Sequence, residues 1–523
     1  MQIETMMVQP RGSASPSERL ARSDIGSLVV FGLWLALFAL LAWTHTPWRD
    51  EVRALSIVME AGSLSELFAG IRPEGHPLLW YALLKLGYAV SGSPLALPAV
   101  AALVAIASAA LIVFRAPFSL PLRAAIVFSQ VVLIHFGVIA RNYGIAFLLI
   151  LCFAALMREP RRNAPWIALV LFLLPNANVP GAALVPVLGL VWAGALLPDR
   201  ARLADWLTLA KSPVVLAVAA AALAGIALCA ITVYPPTQDL FTIRHESIAW
   251  SLAKGIANPG ELFTVIVNDL LPGWTTSILM VLMIAGLRRE PLLAMALGVV
   301  TLILVALFAA VYPGWYRHQS MLIAAAVALY WIAGDRHPGQ GIHRMAGEWP
   351  LLTTMAAVVV TGGPTVKTMI DAPFTMAPRL CETLSSRPDL KDAILLAEPQ
   401  WLLESVPYYC PNRLYLTREE RFGTVSIFAS SNMKVDYALR DLLDTADRLH
   451  KETGHPIVLV VSAKLDLEDP RGVENYREKV PNMTPVTFAF DKESLAELAR
   501  RTTRLEAAVP TLTDETYDIL KFE

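Results

Sequence analysis

Charge is scarce in this sequence. Only 17% of its 523 residues are Asp, Glu, Lys or Arg, against roughly a quarter in an ordinary soluble domain. Basic and acidic residues nearly cancel, leaving a formal net charge of −1. There is no broad basic field, and so no argument for nucleic acid as a partner. Cysteine is scarce too. Cys152, Cys229, Cys381 and Cys410 show no C-x-x-C spacing, so neither a zinc site nor a thioredoxin-like pair is indicated. No Gly-rich phosphate loop occurs, and "GGPT" at 362–365 reads as a linker rather than a Walker motif.

Apolar residues are abundant, at 55%, and mean hydropathy is +0.52. Crossing a bilayer as a helix takes roughly 20 apolar residues. Eleven runs are read as spans, at 27–43, 95–114, 122–140, 143–157, 165–180, 181–197, 213–233, 273–287, 291–311, 318–334 and 349–362. Pro175, Asn176 and Pro180 punctuate the fifth and sixth, which read as a broken helix or a tight hairpin. The first run is long and lacks a small-residue cleavage site, so it reads as an anchor rather than a signal peptide.

Orientation follows from the basic residues. Alternate connections carry Arg11, Arg19 and Arg22; Arg115 and Arg123; Arg158, Arg161 and Arg162; Arg200, Arg202 and Lys211; Arg288 and Arg289; and Arg336 and Arg344. This set is expected in the cytoplasm, with the N-terminus. The other set, 44–94, 141–142, 234–272 and 312–317, carries acids, aromatics and histidines and is expected outside. From about residue 363 the composition turns charged. "DAILLAE" and "PIVLVVSA" read as buried strands of a parallel sheet, and "DYALRDLLDTADRLHKETG" as an amphipathic helix with a Gly stop. A small α/β domain over 363–523 follows. On the outer side it meets an oxidising compartment, where Cys381 and Cys410 are free to pair; Cys152 and Cys229 lie in apolar helices as core residues.

The chemistry is expected in the outward connections. Residues 52–61 and 64–70 read as short interfacial helices, and "HPLLWYALLKLGYAV" is placed along the membrane surface, since making it a span inverts every later loop. Asp50 and Glu51 follow the first span closely. An acidic pair beside a bilayer is expensive and needs a partner or a purpose. One reading makes Asp50 a helix N-cap, with Glu51 complementing the dipole. The other makes it a base. Arg53, Arg72, Glu74 and His76 crowd the same loop, and Arg141, Tyr316, Arg317 and His318 return to the same side. A carboxylate base ringed by Arg and His suits transfer from an anionic lipid-phosphate donor.

"WRDEVRA", "EGHPLLWYALLKLG", "ARNYGIAFLLILC" and "WYRHQSMLIAAAVALYW", in this order, resemble the GT-C glycosyltransferases, among them protein O-mannosyltransferases and lipid A aminoarabinose transferases. The resemblance covers roughly residues 25–335. It implies a GT-C-like polytopic α-helical membrane protein of the bacterial inner membrane, with its C-terminal domain in the periplasm. It implies a polyprenyl-phosphate-sugar donor, an envelope glycan, lipid or protein as acceptor, and inversion at the outer face. Asp50 would then be the base, and Glu51 its support or a metal ligand. His76 would contact phosphate, bind a metal or make a structural hydrogen bond. A divalent magnesium or manganese ion on Asp50, Glu51 and His76 is left open. Arg141, or Tyr316, Arg317 and His318, would hold phosphate. Each has a plain alternative, as a snorkelling Arg or part of an interfacial belt. Belt anchoring is the default for Trp48, Trp80, Trp274 and Trp315.

The 234–272 connection reads as a lid with an amphipathic helix at 247–257, placing His245 and Glu246 on the substrate, or as a passive interfacial helix. Three classes compete: a lipid-phosphate-sugar glycosyltransferase, an oligosaccharide ligase or polymerase, and a transporter. A transporter needs ionisable groups near mid-helix. Here the helix interiors are nearly free of charge and the polar groups gather at one face, which favours surface chemistry.

Overall fold

A computed structural model describes residues 16–198, 201–234, 247–312, 314–337, 342–427, 431–462, 473–475 and 486–523. The N-terminal part is helical. Helix α1 (Pro16–Thr44) leads into the short helices α2 (Arg49–Glu60), α3 (Leu64–Ile71) and α4 (Leu79–Ser91). Helix α4 has 13 residues. Then follow α5 (Ala96–Phe114), α6 (Leu120–Val127), a π-helical turn (Val131–Val138), α7 (Asn142–Leu156), α8 (Ala164–Leu173), α9 (Val179–Gly194), α10 (Leu203–Leu209) and α11 (Pro213–Val233). Helices α12 (Ile248–Ala257), α13 (Gly273–Gly286), α14 (Pro291–Ala310), α15 (Tyr316–Arg336) and α16 (Ile342–Asp371) complete the bundle.

Against eleven expected spans, the described residues hold five helices long and apolar enough to cross a membrane: 25–44, 96–114, 213–233, 291–310 and 347–371. The pair α6 and the π-turn, bent by 46°, makes a sixth if counted as one span. The difference is physical. Several apolar runs fold as helices of 10 to 17 residues, such as α7, α9 and α13, and the 165–197 stretch becomes two helices joined by a tight turn at 174–178. Helix α15 is buried from Gln319 to Ile332 at the centre of the bundle.

The linker expected at 362–365 is instead inside α16. Gly362 packs so closely on the Gln130 side chain that a Cβ would lie 2.8 Å from it. Glycine here serves helix packing, and the boundary expected at 363 falls within a continuous helix.

The C-terminal region begins with α17 (Ala377–Ser386). Its main sheet has the order β3-β2-β1-β5-β9-β8, formed by β1 (Ile394–Glu398), β2 (Leu414–Leu416), β3 (Arg421–Phe422), β5 (Ile457–Ser462), β8 (Thr502–Glu506) and β9 (Tyr517–Phe522). β1 pairs in parallel with β5 in register Ile394 to Ile457, and every residue of both is buried. A second sheet pairs β4 (Asp436–Ala438), β7 (Thr487–Ala489) and β6 (Val473–Asn475). The helix expected at 436–454 therefore gives its first three residues to β4. Helix α18 runs Leu439–Thr453 and stops at Gly454, whose φ of +68° is the left-handed cap that glycine favours. Helix α19 (Lys492–Arg501) precedes β8. Cys381 and Cys410 are joined, with an S–S distance of 2.06 Å.

Candidate functional site

The site is built on the first turn of α2. Trp48 is the N-cap residue, with extended backbone. The Glu51 carboxylate, at the third helical position, accepts the Trp48 backbone N–H at 3.3 Å. Glu51 is thus the residue that caps the helix, and Asp50 is left to face elsewhere. Glu51 is fully buried and also accepts the Ala140 N–H at 2.6 Å and meets His45 Nε2 at 2.8 Å. These partners turn it away from solvent and tie α2 to the start of the Arg141 segment.

Asp50 points at arginines. Its Oδ2 is 2.9 Å from Arg317 Nη2 and 3.8 Å from Arg141 Nη1, and Oδ1 is 4.0 Å from Arg49 Nε. Arg141 also donates to the Asp50 backbone carbonyl. Burial would raise the Asp50 carboxyl, but Arg317, Arg141 and Arg49 outweigh it and hold it well below the usual carboxylate range.

His76 supports Arg141. The αL turn at Gly75, φ +64°, folds the chain back so that His76 Nδ1 donates to the Glu74 carbonyl at 2.7 Å. Nε2 is then the free acceptor, and Arg141 Nη2 reaches it at 3.1 Å. Burial and the neighbouring Arg141 lower this imidazole to about 4, so it is neutral at pH 7, as an acceptor from a guanidinium must be.

Arg53 and Glu74 are committed to each other, Nη2 to Oε1 at 2.5 Å. Arg53 Nη1 also donates to both Glu404 carboxylate oxygens, at 2.8 and 2.9 Å. Both residues line one small pocket with Asp50, His76, Trp80, Tyr81, Arg141 and Asn142. Trp80 is buried there rather than exposed in a belt, whereas Trp274 and Trp315 are 60% and 65% exposed. The buried side-chain atoms without a hydrogen-bond partner among the described residues include Arg317 Nε, Trp80 Nε1 and Asn142 Oδ1.

Of the expected residues, Asp50, Arg53, Glu74, His76, Arg141 and Arg317 come together. Tyr316 and His318 turn aside: the Tyr316 hydroxyl donates to Asp269, and His318 Nδ1 accepts the Trp315 N–H at 3.0 Å. The His318 ring packs edge-on against Tyr143 and Tyr312. Arg72 is exposed. His245 and Glu246 lie outside the described residues.

The metal option on Asp50, Glu51 and His76 fits these residues poorly. Glu51 is consumed by the cap and His45, His76 Nε2 faces a guanidinium, and Asp50 is ringed by cations that repel a metal ion. Among the described residues no three His, Cys, Asp or Glu side chains gather as a metal site.

Sequence reasoning did not single out Arg49, Glu404, Asp514 or Glu515. Arg49 forks onto Asp514 at 3.1 Å through both Nη atoms. The separation of 465 residues leaves no local signal for that pair.

No family model and no curated protein matches the chain. Its structure neighbours include the lipid A aminoarabinose transferase ArnT. ArnT from Cupriavidus metallidurans bound to undecaprenyl phosphate is 12% identical, with a TM-score of 0.46, over 97% of this chain and 98% of that one. The same protein in the apo state is 13% identical, with a TM-score of 0.45 over the same shares.

Proposed function

We propose that this chain is a membrane glycosyltransferase that moves a sugar from a polyprenyl-phosphate donor to a cell-envelope acceptor, with inversion, at the outer face of a bacterial inner membrane. The observation that carries this reading is the cluster at Asp50. Arg141 and Arg317 both turn to the single carboxylate of Asp50, while Arg49 and Arg53 are taken up by Asp514, Glu74 and Glu404. Two guanidiniums converge on one carboxylate at a partly open site, a pair of donors that suits an anion.

The same geometry suggests how Asp50 becomes a base. At rest it occupies the place of the donor phosphate between Arg141 and Arg317. An arriving phosphate competes for both guanidiniums, and as they turn to it the proton affinity of Asp50 rises. The acceptor O–H or N–H then gives its proton to Asp50 while its heavy atom bonds to the anomeric carbon. The bond from that carbon to the phosphate oxygen breaks, and its electron pair leaves with the polyprenyl phosphate. Arg141, held by His76, and Arg317 neutralise the leaving charge. The unpartnered Trp80 Nε1 and Asn142 Oδ1 are a donor and an acceptor suited to sugar hydroxyls.

The topology in this proposal keeps eleven crossings, counting the short apolar helices. The N-terminus is cytoplasmic, and the region after α16 is a periplasmic domain. Undecaprenyl phosphate is the direct probe of the site. The purified protein in nanodiscs is expected to bind it, and Arg141→Gln with Arg317→Gln to weaken binding by tenfold or more, on the order of 1.5–3 kcal/mol per charged hydrogen bond. Unchanged affinity in that double variant contradicts the phosphate assignment.

A further inference from the structure

The C-terminal region reaches into the first loop through polar contacts that converge on residues 46–60. Phe374 N–H donates to Thr46 Oγ1 at 2.8 Å, and the Tyr409 hydroxyl to the Pro47 carbonyl at 2.8 Å. The Glu515 carboxylate takes the Arg49 backbone N–H at 2.7 Å, and Asp514 takes the Arg49 guanidinium. Glu404 takes Arg53, which also donates to the Ser426 carbonyl at 2.6 Å. Thr424 reaches Glu60 at the far end of α2. Arg49 and Arg53 flank Asp50 on the same turn.

Such a set is an odd way to glue two regions together. A buried ion pair recovers little net stability after desolvation, and its best-attested use is to fix geometry. Glu404 and Glu515 are fully buried, and Glu515 is held from three sides, by the Arg49 N–H, by Ser405 at 2.6 Å and by Thr375. Apolar packing supplies the adhesion separately, with Tyr408, Val425 and Leu512 set against the core of the helical bundle.

We propose that the C-terminal region is a working part of the first-loop site. Glu404, Asp514 and Glu515 are positioning residues that fix Arg49 and Arg53, and through them the helical turn that aims Asp50. This rests on the reading of Asp50 as the base of a glycosyl transfer. The phosphate-holding arginines Arg141 and Arg317 sit on other elements, so a misaimed Asp50 lowers turnover without removing a contact to the donor phosphate.

The test uses the full chain in nanodiscs with lipid-linked sugars extracted from bacterial membranes, together with an envelope extract as acceptor. Release of undecaprenyl phosphate measures turnover, and binding of added undecaprenyl phosphate measures the phosphate site. In the double variant Glu404→Gln with Asp514→Asn, kcat is expected to fall between about ten- and a hundredfold, the scale of a small misplacement of a reacting group. Affinity for undecaprenyl phosphate is expected to fall by no more than about threefold, and to rise if a displaced Asp50 competes less for Arg141 and Arg317, because breaking even one charged hydrogen bond to the phosphate would weaken it about tenfold. An unchanged kcat overturns the inference. So does a parallel fall in kcat and binding, which would mark the contacts as structural only. If the double variant does not fold, the single Glu404→Gln is read by the same outcomes, since Gln still accepts the Ser426 N–H. Release of nothing by the wild type overturns the functional reading, and this inference with it.

Discussion

Asp50 and Glu51 are neighbours with opposite fates, and helix phase decides which is which. At the third helical position Glu51 reaches back to the Trp48 N–H, the geometry of a capping carboxylate. Asp50, one residue earlier, is turned towards Arg317. The sequence showed the acidic pair beside the membrane and the arginines returning to the same side, which made Asp50, Arg141 and Arg317 legible. It did not show which acid caps the helix, because that depends on where α2 begins within "PWRDEV". Glu51→Gln is therefore expected to act on stability. It leaves an amide N–H₂ facing either the Ala140 N–H or the Trp48 N–H, and a buried mismatch of this kind costs on the order of 1–3 kcal/mol. Thermal unfolding in detergent should fall accordingly, and added magnesium or manganese should restore nothing. Recovery of activity by a divalent ion would show that Glu51 is a ligand after all.

Strands β1 and β5 were legible because continuous apolar runs of five or six residues have one home, a sheet buried on both faces. The boundaries were not. The stretch expected as a linker at 362–365 lies inside α16, where glycine at 362 lets the helix close on Gln130, a neighbour remote in sequence. The segment before β9 is the least readable element and one of the most consequential, since it carries Asp514 and Glu515. Burial pushes the Glu515 carboxyl up to about 7, with Arg49 and Ser405 pulling the other way. A carboxyl raised above its unfolded value of 4.5 binds a proton more tightly when folded. Its contribution to stability is fully present below that unfolded value and is lost as pH rises through about 7. Between pH 5 and pH 8 the wild type should lose stability through this group, by about a few kcal/mol at most. Glu515→Gln, which keeps an acceptor for the Arg49 N–H, should flatten that part of the profile. A wild-type and variant difference that does not change with pH would refute the linkage.

For the whole molecule, the proposed arrangement sets Asp50, its arginines and their C-terminal partners on one side of the membrane. Reporter fusions after residues 118, 160 and 288 should read cytoplasmic, and fusions after 245 and 400 periplasmic. A cytoplasmic reading at 400 would change the parity of crossings and remove the C-terminal region from the site's side. The central claim concerns Asp50, and it is tested most directly in cells. Mass spectrometry of lipid-linked sugars and envelope glycans compares cells with the gene, without it, and with Asp50→Asn. Asn matches Asp in size, its side-chain oxygen can still accept from Arg317, and the cap of α2 belongs to Glu51, so the variant should be made and inserted normally. It cannot take a proton, and general-base contributions are on the order of a hundred- to ten-thousandfold. The account predicts that it accumulates the same polyprenyl-phosphate sugar, and lacks the same envelope sugar, as cells without the gene. Near-normal transfer by Asp50→Asn would contradict the account.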